Sequence, residues 1–441
     1  VKRTLLGICC LLSVACVASL AQEAAIVRPA PASHRVGSGR IVTPQSSIQR
    51  PEDTGRYART HFKIYVPPGK ADVEGFADSE VSSSGTPIAG YYAETPASLA
   101  CLYNQVTVTS GCNPASLANS KHATGGSKAI AIVDAYHYPT ALADLTKYSS
   151  QFGLPAPTSS TFTVANTGST PPTDPNCAIY GGWNCWSAEA ALDIDMAHAM
   201  APAAHIYLVE AQSNSFTDLF AAETKAIALV KAAGGGEVSN SWGGSEFSSE
   251  TSWDSTFVGA TVVIFASTGD QEGTEYPSVS PNVVAVGGTT ISRNPATLNA
   301  EREISWEDGG GGLSPYEPRP SYQNSISSRI GSHRGVPDVA AVANPRTGVW
   351  IYDSFDTSSP HWNIFGGTSV ASPLWAAIVN HAGHFSASSA AELTTVYANA
   401  STAADYRDIT YGSCGYYEGW FAVSGWDPCT GSGAPLGTAG K

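Results

Sequence analysis

Charge is scarce in this chain. Only 14% of its 441 residues are Asp, Glu, Lys or Arg, and 23 basic side chains face 37 acidic ones. A formal charge of -14 argues against nucleic acid or an anionic membrane surface as partner, since both call for clustered Lys and Arg. Below neutral pH little is left to titrate except carboxylates and ten His, which suits acidic surroundings. Several chemical signatures are missing as well. Neither His-Glu-x-x-His nor Cys-x-x-Cys occurs, so zinc ligation has no support. Without Gly-x-Ser-x-Gly, a lipase or esterase has no nucleophile elbow. The glycine run 309–312 lacks the Lys that phosphate binding requires, and nothing near His381 and His384 completes a metal site. Beyond residue 20, no apolar run is long enough to span a bilayer.

Lys2 and Arg3 precede an apolar run from Leu5 to Leu20 and then Ala21-Gln22. Residues 1–21 therefore read as a secretory signal, and the protein as secreted, to the medium or the periplasm. Cys9, Cys10 and Cys16 leave with that signal. The other six fall in neighbouring couples, Cys101 and Cys112, Cys177 and Cys185, Cys414 and Cys429, and an even set in an exported chain implies disulfides. Residues 22–87 are polar and rich in Pro, Ser and Gly, with one strand-like patch from His61 to Val66; they read as a short pro-segment or linker with little core. Residues 88–441 keep one texture and read as a single domain. Candidate strands are Ala129–Val133, His205–Val209, Gly236–Ser239, Thr261–Ala266 and Val283–Val286. Candidate helices are Ala141–Phe152, Ala188–Met200, Phe216–Ala233, Ser372–Ala382 and Ala390–Ala398. Near-continuous apolar strands alternating with helices predict an α/β fold with a mainly parallel central sheet and helices on both faces. Functional residues are then expected at the carboxyl ends of the strands.

Three pieces carry chemistry. Glu189 and Asp193 sit four apart in a helical pattern of small and apolar residues, so they share one face and lack interleaved Lys partners. Burial and like charge would raise at least one pKa of such a pair. Gly366-Gly367-Thr368-Ser369 leads into an apolar helix; its glycines permit a tight turn that puts Ser369 at the helix N-terminus, where the dipole favours a developing alkoxide. Pro373 is expected in the first turn of that helix. Asp270 ends Ser267-Thr268-Gly269-Asp270, just after an apolar strand. It is either a turn former or, when protonated, a hydrogen-bond donor to an oxyanion.

Together these pieces resemble the sedolisin family of serine-carboxyl peptidases, which share the subtilisin fold. The likeness runs from Tyr92-Ala93-Glu94-Thr95-Pro96 through Ser239-Asn240-Ser241-Trp242-Gly243-Gly244, Val286-Gly287-Gly288-Thr289 and Gly335-Val336-Pro337-Asp338 to Gly425-Trp426-Asp427-Pro428-Cys429. It implies Ser369 as nucleophile, Glu189 as general base, Asp193 as the acid that orients it and Asp270 as oxyanion donor. It also implies a cleft lined by Trp242 and a hydrogen-bond network extended by Asp134. Ile132-Val133-Asp134 looks like subtilisin's aspartate strand, yet no His-Gly-Thr-His follows, so a histidine base has no candidate. The resemblance further implies one calcium ion held by Asp408, Asp427 and the backbone oxygens of Ile409, Val423 and Gly425, in a loop that Cys414 and Cys429 would close. Val423 stands where the family commonly has Gly. A large folded pro-domain is usual in the family, so the 22–87 leader is expected to be a reduced one. The expectation is a monomeric acid endopeptidase acting on proteins or peptides; a catalytically idle peptide-binding protein is the alternative.

Overall fold

A computed structural model describes residues 39–67, 87–88, 91–108, 110–115, 121–355, 361–415 and 419–441. The expected signal, 1–21, lies outside the described residues, as do 22–38 and 68–86 of the leader. Before the main domain come β1 (Arg40–Val42), β2 (Arg59–Thr60) and β3 (Lys63–Val66). The body adds β4 (Ala129–Ala135), β5 (Phe162–Asn166), β6 (His205–Ala211), β7 (Gly236–Asn240), β8 (Trp242–Ser245), β9 (Val262–Ser267) and β10 (Glu275–Tyr276). Then follow β11 (Val284–Arg293), β12 (Ala300–Ser305), β13 (Gly312–Pro318), β14 (His333–Val336), β15 (Val339–Val342), β16 (Val349–Tyr352) and β17 (Trp362–Gly366). The helices are α1 (Pro96–Leu102), α2 (Ala141–Phe152), α3 (Pro175–Tyr180), α4 (Trp186–Met200), α5 (Phe216–Ala232), α6 (Ser327–Ile330), α7 (Thr368–Ala382) and α8 (Ser389–Asn399).

The central sheet runs β12-β11-β9-β7-β4-β6-β5, with β15 also paired to β11. Its pairings are parallel except for the β11–β12 edge. Strand alternation sorts the side chains into two cores. Ile130, Ile132, Ile206 and Leu208 pack with α4 and α7 on one face, while Ala131, Val133, Val209 and Val238 pack with α5 on the other. The expected α/β architecture is present, and the strands and helices expected from the sequence form within a few residues of their expected bounds, except that β11 runs on from Val286 to Arg293.

Two features depart from expectation. The leader is not poor in core: Phe62 and Ile64 are buried in the larger core, Val66 is buried as well, and β3 inserts between β1 and β17. Its alternating apolar residues suffice for a half-buried strand despite the Pro- and Gly-rich flanks. In α7, which begins at Thr368, Pro373 lies past the first turn. A proline has no N–H for the carbonyl four residues back, here that of Ser369. The Ser241 hydroxyl supplies a hydrogen at 3.5 Å instead.

The turn from β14 to β15 is held by a buried ion pair. Asp338 receives both Arg334 Nη1 and Nη2 at 2.6 Å, the Tyr397 hydroxyl at 2.7 Å and the Ala285 N–H at 2.8 Å. Removing the guanidinium leaves a carboxylate buried without countercharge. Arg334→Ala is therefore expected to lose about 3–5 kcal/mol, read as a lower urea midpoint, whereas Tyr397→Phe should cost about 1 kcal/mol. A midpoint unchanged in Arg334→Ala would remove the ion pair from the account of stability.

Candidate active site

Every residue of α4 is buried, its three acids Glu189, Asp193 and Asp195 included. The helix starts where Asp174 accepts the Trp186 N–H at 3.1 Å, directly after the loop that the Cys177–Cys185 disulfide closes. Asp174, Cys177 and Cys185 lie close enough together for a shared metal, but the two sulfurs are bonded to each other and offer no thiolate. One turn in, Glu189 and Asp193 face the carboxyl ends of β4 and β7, where Asp134 and Ser241 sit.

Ser369 is in the first turn of α7, whose leading N–H groups have no partner within the helix. The Thr368 N–H donates to Asp270 Oδ1 at 2.7 Å, and the Thr368 hydroxyl donates to the same oxygen at 3.0 Å. Asp270 Oδ2 has no hydrogen-bond partner. The Ser369 hydroxyl donates to the Ser241 carbonyl at 3.3 Å. Gly367, at φ 122°, lies in the region that favours glycine. A Cβ there would stand 2.1 Å from the His61 carbonyl oxygen and 2.6 Å from Asp270 Oδ2. Both oxygens therefore flank the space beside Ser369.

The electrostatics are those of acids with too few cations. Burial, then the neighbouring Asp134, pushes Glu189 well above the usual carboxyl range, while the Ser369 hydroxyl pulls the other way. Asp193 is raised by burial, then by Asp134 and Glu189, and the Ser241 hydroxyl partly offsets this. Asp134 is raised by burial and by Glu210. Asp270 is pushed up to about 6 by burial, with Lys63, His61 and Thr368 limiting the rise. No oxygen of Asp134 or Asp193 meets hydrogen-bond geometry, so the three acids of this cluster are coupled by charge and proximity.

What the sequence did not announce is the occupant of the cleft. β2 lies antiparallel on β8, Thr60 opposite Trp242, and β3 lies antiparallel on β17, Lys63 opposite Gly366. Between them the His61–Phe62 peptide crosses the site. The His61 carbonyl accepts the Ser369 N–H at 3.1 Å, and its own N–H donates to Glu189 Oε2 at 3.1 Å. The imidazole sits in a buried pocket, 2.7 Å from Ser267 Oγ and 3.0 Å from Glu275 Oε2, and Arg59 pairs with the same Glu275. Phe62 stacks on Phe365 at 5.0 Å. The strand-like patch at 61–66 was the only signal in the sequence, and it said nothing of Ser267 or Glu275, which lie more than 200 residues away. Trp242 is fully buried and donates from Nε1 to the Val133 carbonyl at 2.9 Å; the strand it belongs to, not its indole, meets the segment in the cleft.

Away from the cleft, Asp427 is buried, and its oxygens accept the Cys429 and Thr430 N–H groups at 2.9 Å and the Val423 N–H at 3.1 Å. Burial pushes it up to about 7. Asp408 Oδ2 accepts the Gly425 N–H at 3.0 Å and the Ser424 hydroxyl at 3.1 Å. Among the described residues no Lys, Arg or His pairs with either acid. The Cys414–Cys429 disulfide closes this loop, and Cys101–Cys112 is likewise formed.

A parallel α/β sheet with buried carboxyls around a serine at a helix start defines a subtilisin-like fold with a serine-carboxyl site. The subtilase family model matches residues 187–413, and the chain belongs to that family of peptidases, in its sedolisin branch. Kumamolisin of Bacillus sp. (strain MN-32) is 31% identical over 325 residues, which cover 66% of this chain and 56% of that protein. Sedolisin of Pseudomonas sp. (strain 101) is 34% identical over 181 residues, covering 38% of this chain and 29% of that protein. The chain thus spans about half the length of kumamolisin and less of sedolisin. The solved structure of Pseudomonas sedolisin, a serine-carboxyl proteinase complexed with two molecules of pseudo-iodotyrostatin, superposes with a TM-score of 0.60 at 24% identity. That superposition covers 78% of this chain and 95% of the solved one, and it shows a shared fold.

The raised carboxyls have a consequence for stability. Asp134, Glu189, Asp193 and Asp270 bind protons more tightly folded than unfolded, as do Asp195, Glu223, Glu237 and Asp353. Their contribution is complete below the unfolded carboxyl pKa of about 4 and is lost as pH rises through each folded pKa. Glu275, held low chiefly by Arg59 and His61 against its burial, works the other way, as do the lowered imidazoles of His198, His205 and His381, but they are fewer. The unfolding temperature is accordingly expected to be higher at about pH 4 than at about pH 8. The opposite order by calorimetry would contradict it.

Proposed function

We propose that the chain is a secreted serine-carboxyl endopeptidase, monomeric and acid-acting, that hydrolyses proteins and peptides through an acyl-enzyme. The observation that carries this reading is the His61–Phe62 peptide, seated beside Ser369 as a substrate would be. For an amide in that position, Glu189 accepts the Ser369 proton while Oγ bonds to the carbonyl carbon. The oxygen gains charge against the Ser369 N–H and a protonated Asp270. Glu189 then returns the proton to the leaving amine, the C–N bond breaks, and water activated by Glu189 hydrolyses the ester. With the leader in the cleft the Ser369 hydroxyl points to the Ser241 carbonyl and Glu189 holds the His61 N–H, so attack requires the hydroxyl to turn from Ser241 to Glu189.

The chain's own leader then acts as a resident occupant, and its first turnover is cleavage after His61. Glu275, facing both Arg59 and His61, favours basic side chains one and three residues before the cut. In acid, the wild-type protein is expected to generate a new N-terminus at Phe62, seen by mass spectrometry, and Ser369→Ala is expected to stay intact. A peptide-library digest should then peak at about pH 3–5, fall as Asp270 ionises through about 6, and enrich Lys, Arg or His at those two positions. Ser369→Ala and Glu189→Gln each should lose at least about 10⁴-fold in turnover without unfolding. Activity that peaks above pH 7, or cleavage that persists in Ser369→Ala, would sink the reading.

The 408–427 loop suits calcium. Two acids without a cationic partner among the described residues, one of them buried, beside a Gly-rich turn are the donors a hard ion takes. Asp408, Asp427 and the carbonyls of Ile409, Val423 and Gly425 would hold it, and the ion would neutralise Asp427 and stiffen the loop. A chelator is expected to lower the unfolding temperature of the wild type and to leave that of Asp408→Asn unmoved; a wild type indifferent to chelator would rule the site out.

A further inference from the structure

The outermost acid at the carboxyl end of the sheet is Glu210, which the reaction does not use. On β4 and β6, Ile130, Ile132, Ile206 and Leu208 face α4, and two residues on, in the same register, Asp134 and Glu210 face it too. Neighbouring strands are about 4.8 Å apart, so the two carboxyls are adjacent. Both residues are 1% exposed. Asp134 has no hydrogen-bond partner for either oxygen, but Glu210 is firmly held. It accepts the Tyr138 N–H at 2.9 Å, and its oxygens lie 3.0 and 2.8 Å from His137 Nδ1. His137 is itself pinned by its backbone N–H to the Pro172 carbonyl at 2.9 Å, while its side chain keeps 28% of its surface in solvent. The ionisable groups facing Glu210 are Asp134 from β4 and His137 from the loop after it; its register partner on β5, Asn166, is neutral. Beyond Asp134 on the inner side stand Glu189 and Asp193 of α4.

Resting on the peptidase reading, we propose that His137 and Glu210 are positioning residues of the acid site, the outer end of a carboxyl chain through which solvent pH reaches Asp134, Glu189 and Asp193. Neither touches the substrate position. Their effect is on charge: a carboxylate at 210 opposes ionisation of Asp134, and an imidazolium at 137 offsets it. The two side chains therefore act with opposite sign, which a purely structural pair would not do.

The test is the pH profile of kcat/KM in Glu210→Gln and His137→Ala, made in the full chain. Glu210→Gln deletes a negative charge, the inner acids ionise more readily, and the acidic limb moves to lower pH. His137→Ala deletes a positive charge in acid, and the same limb moves to higher pH. Each displacement is expected at about 0.5–1 pH unit, a factor of about 3–10 in rate on that limb. Limbs that stay in place, or that move the same way in both variants, overturn the proposal. A second readout does not depend on activity. In the Ser369→Ala background, the carboxyl carbon of Asp134, labelled with ¹³C and assigned by its loss in Asp134→Asn, is titrated by NMR. Its midpoint should fall in Glu210→Gln and rise in His137→Ala, and an unmoved midpoint overturns the link. A wild-type protein inert toward peptides at every pH would defeat the peptidase reading alone, since the NMR titration would still decide the link between Glu210 and Asp134.

Discussion

Burial of acids without cations is the constraint on which the rest of this structure depends. Asp134, Glu189 and Asp193 meet at the carboxyl end of a parallel sheet, and among the described residues none of them has an ion pair. Three full negative charges cannot coexist there, because the cost of desolvating each is several kcal/mol (about that per ion) and their mutual repulsion adds to it. The cluster must hold protons. That one requirement sets the tilt of stability toward acid and the value of any group, such as Ser369, Ser241 or the His61 amide, that can donate a hydrogen bond into it.

The leader answers the same constraint. Its backbone gives an N–H to Glu189 and takes one from Ser369, so it satisfies polar groups that an empty cleft would leave to water. It is joined to the domain by strand pairing on both sides of the crossing point and by the buried contacts of His61 with Ser267 and Glu275. A short segment can thus occupy the site, since the cleft supplies the strands it pairs with.

Much of the site was legible because its chemistry is local. Glu189 and Asp193 are four apart on one helix, Ser369 follows a glycine turn into another, and Asp270 ends a strand; helix and strand periodicity alone place each of them. The pairing of neighbouring cysteines was legible for the same reason, since loops this short bring only close partners together. Pro373 was misplaced because the sequence cannot show that a serine from another strand satisfies the carbonyl it frees. Glu210 and Glu275 were invisible as members of the site. Each is an unremarked polar residue until a parallel strand or a returning loop sets it beside its partner.

The sequence by itself determined the fold class, the alternation that buries two faces of the sheet, and the identity of the three carboxyls grouped around one serine. The first two follow from periods of two and of 3.6, which act over a few neighbours, and the grouping was implied by the resemblance to the sedolisins. Only the tertiary structure decided what fills the cleft, which acids are left without countercharge, and how a surface histidine reaches the buried cluster. Such facts depend on distances between segments more than 200 residues apart, and on the solvent each group loses when those segments close, and neither is written in any short stretch of chain.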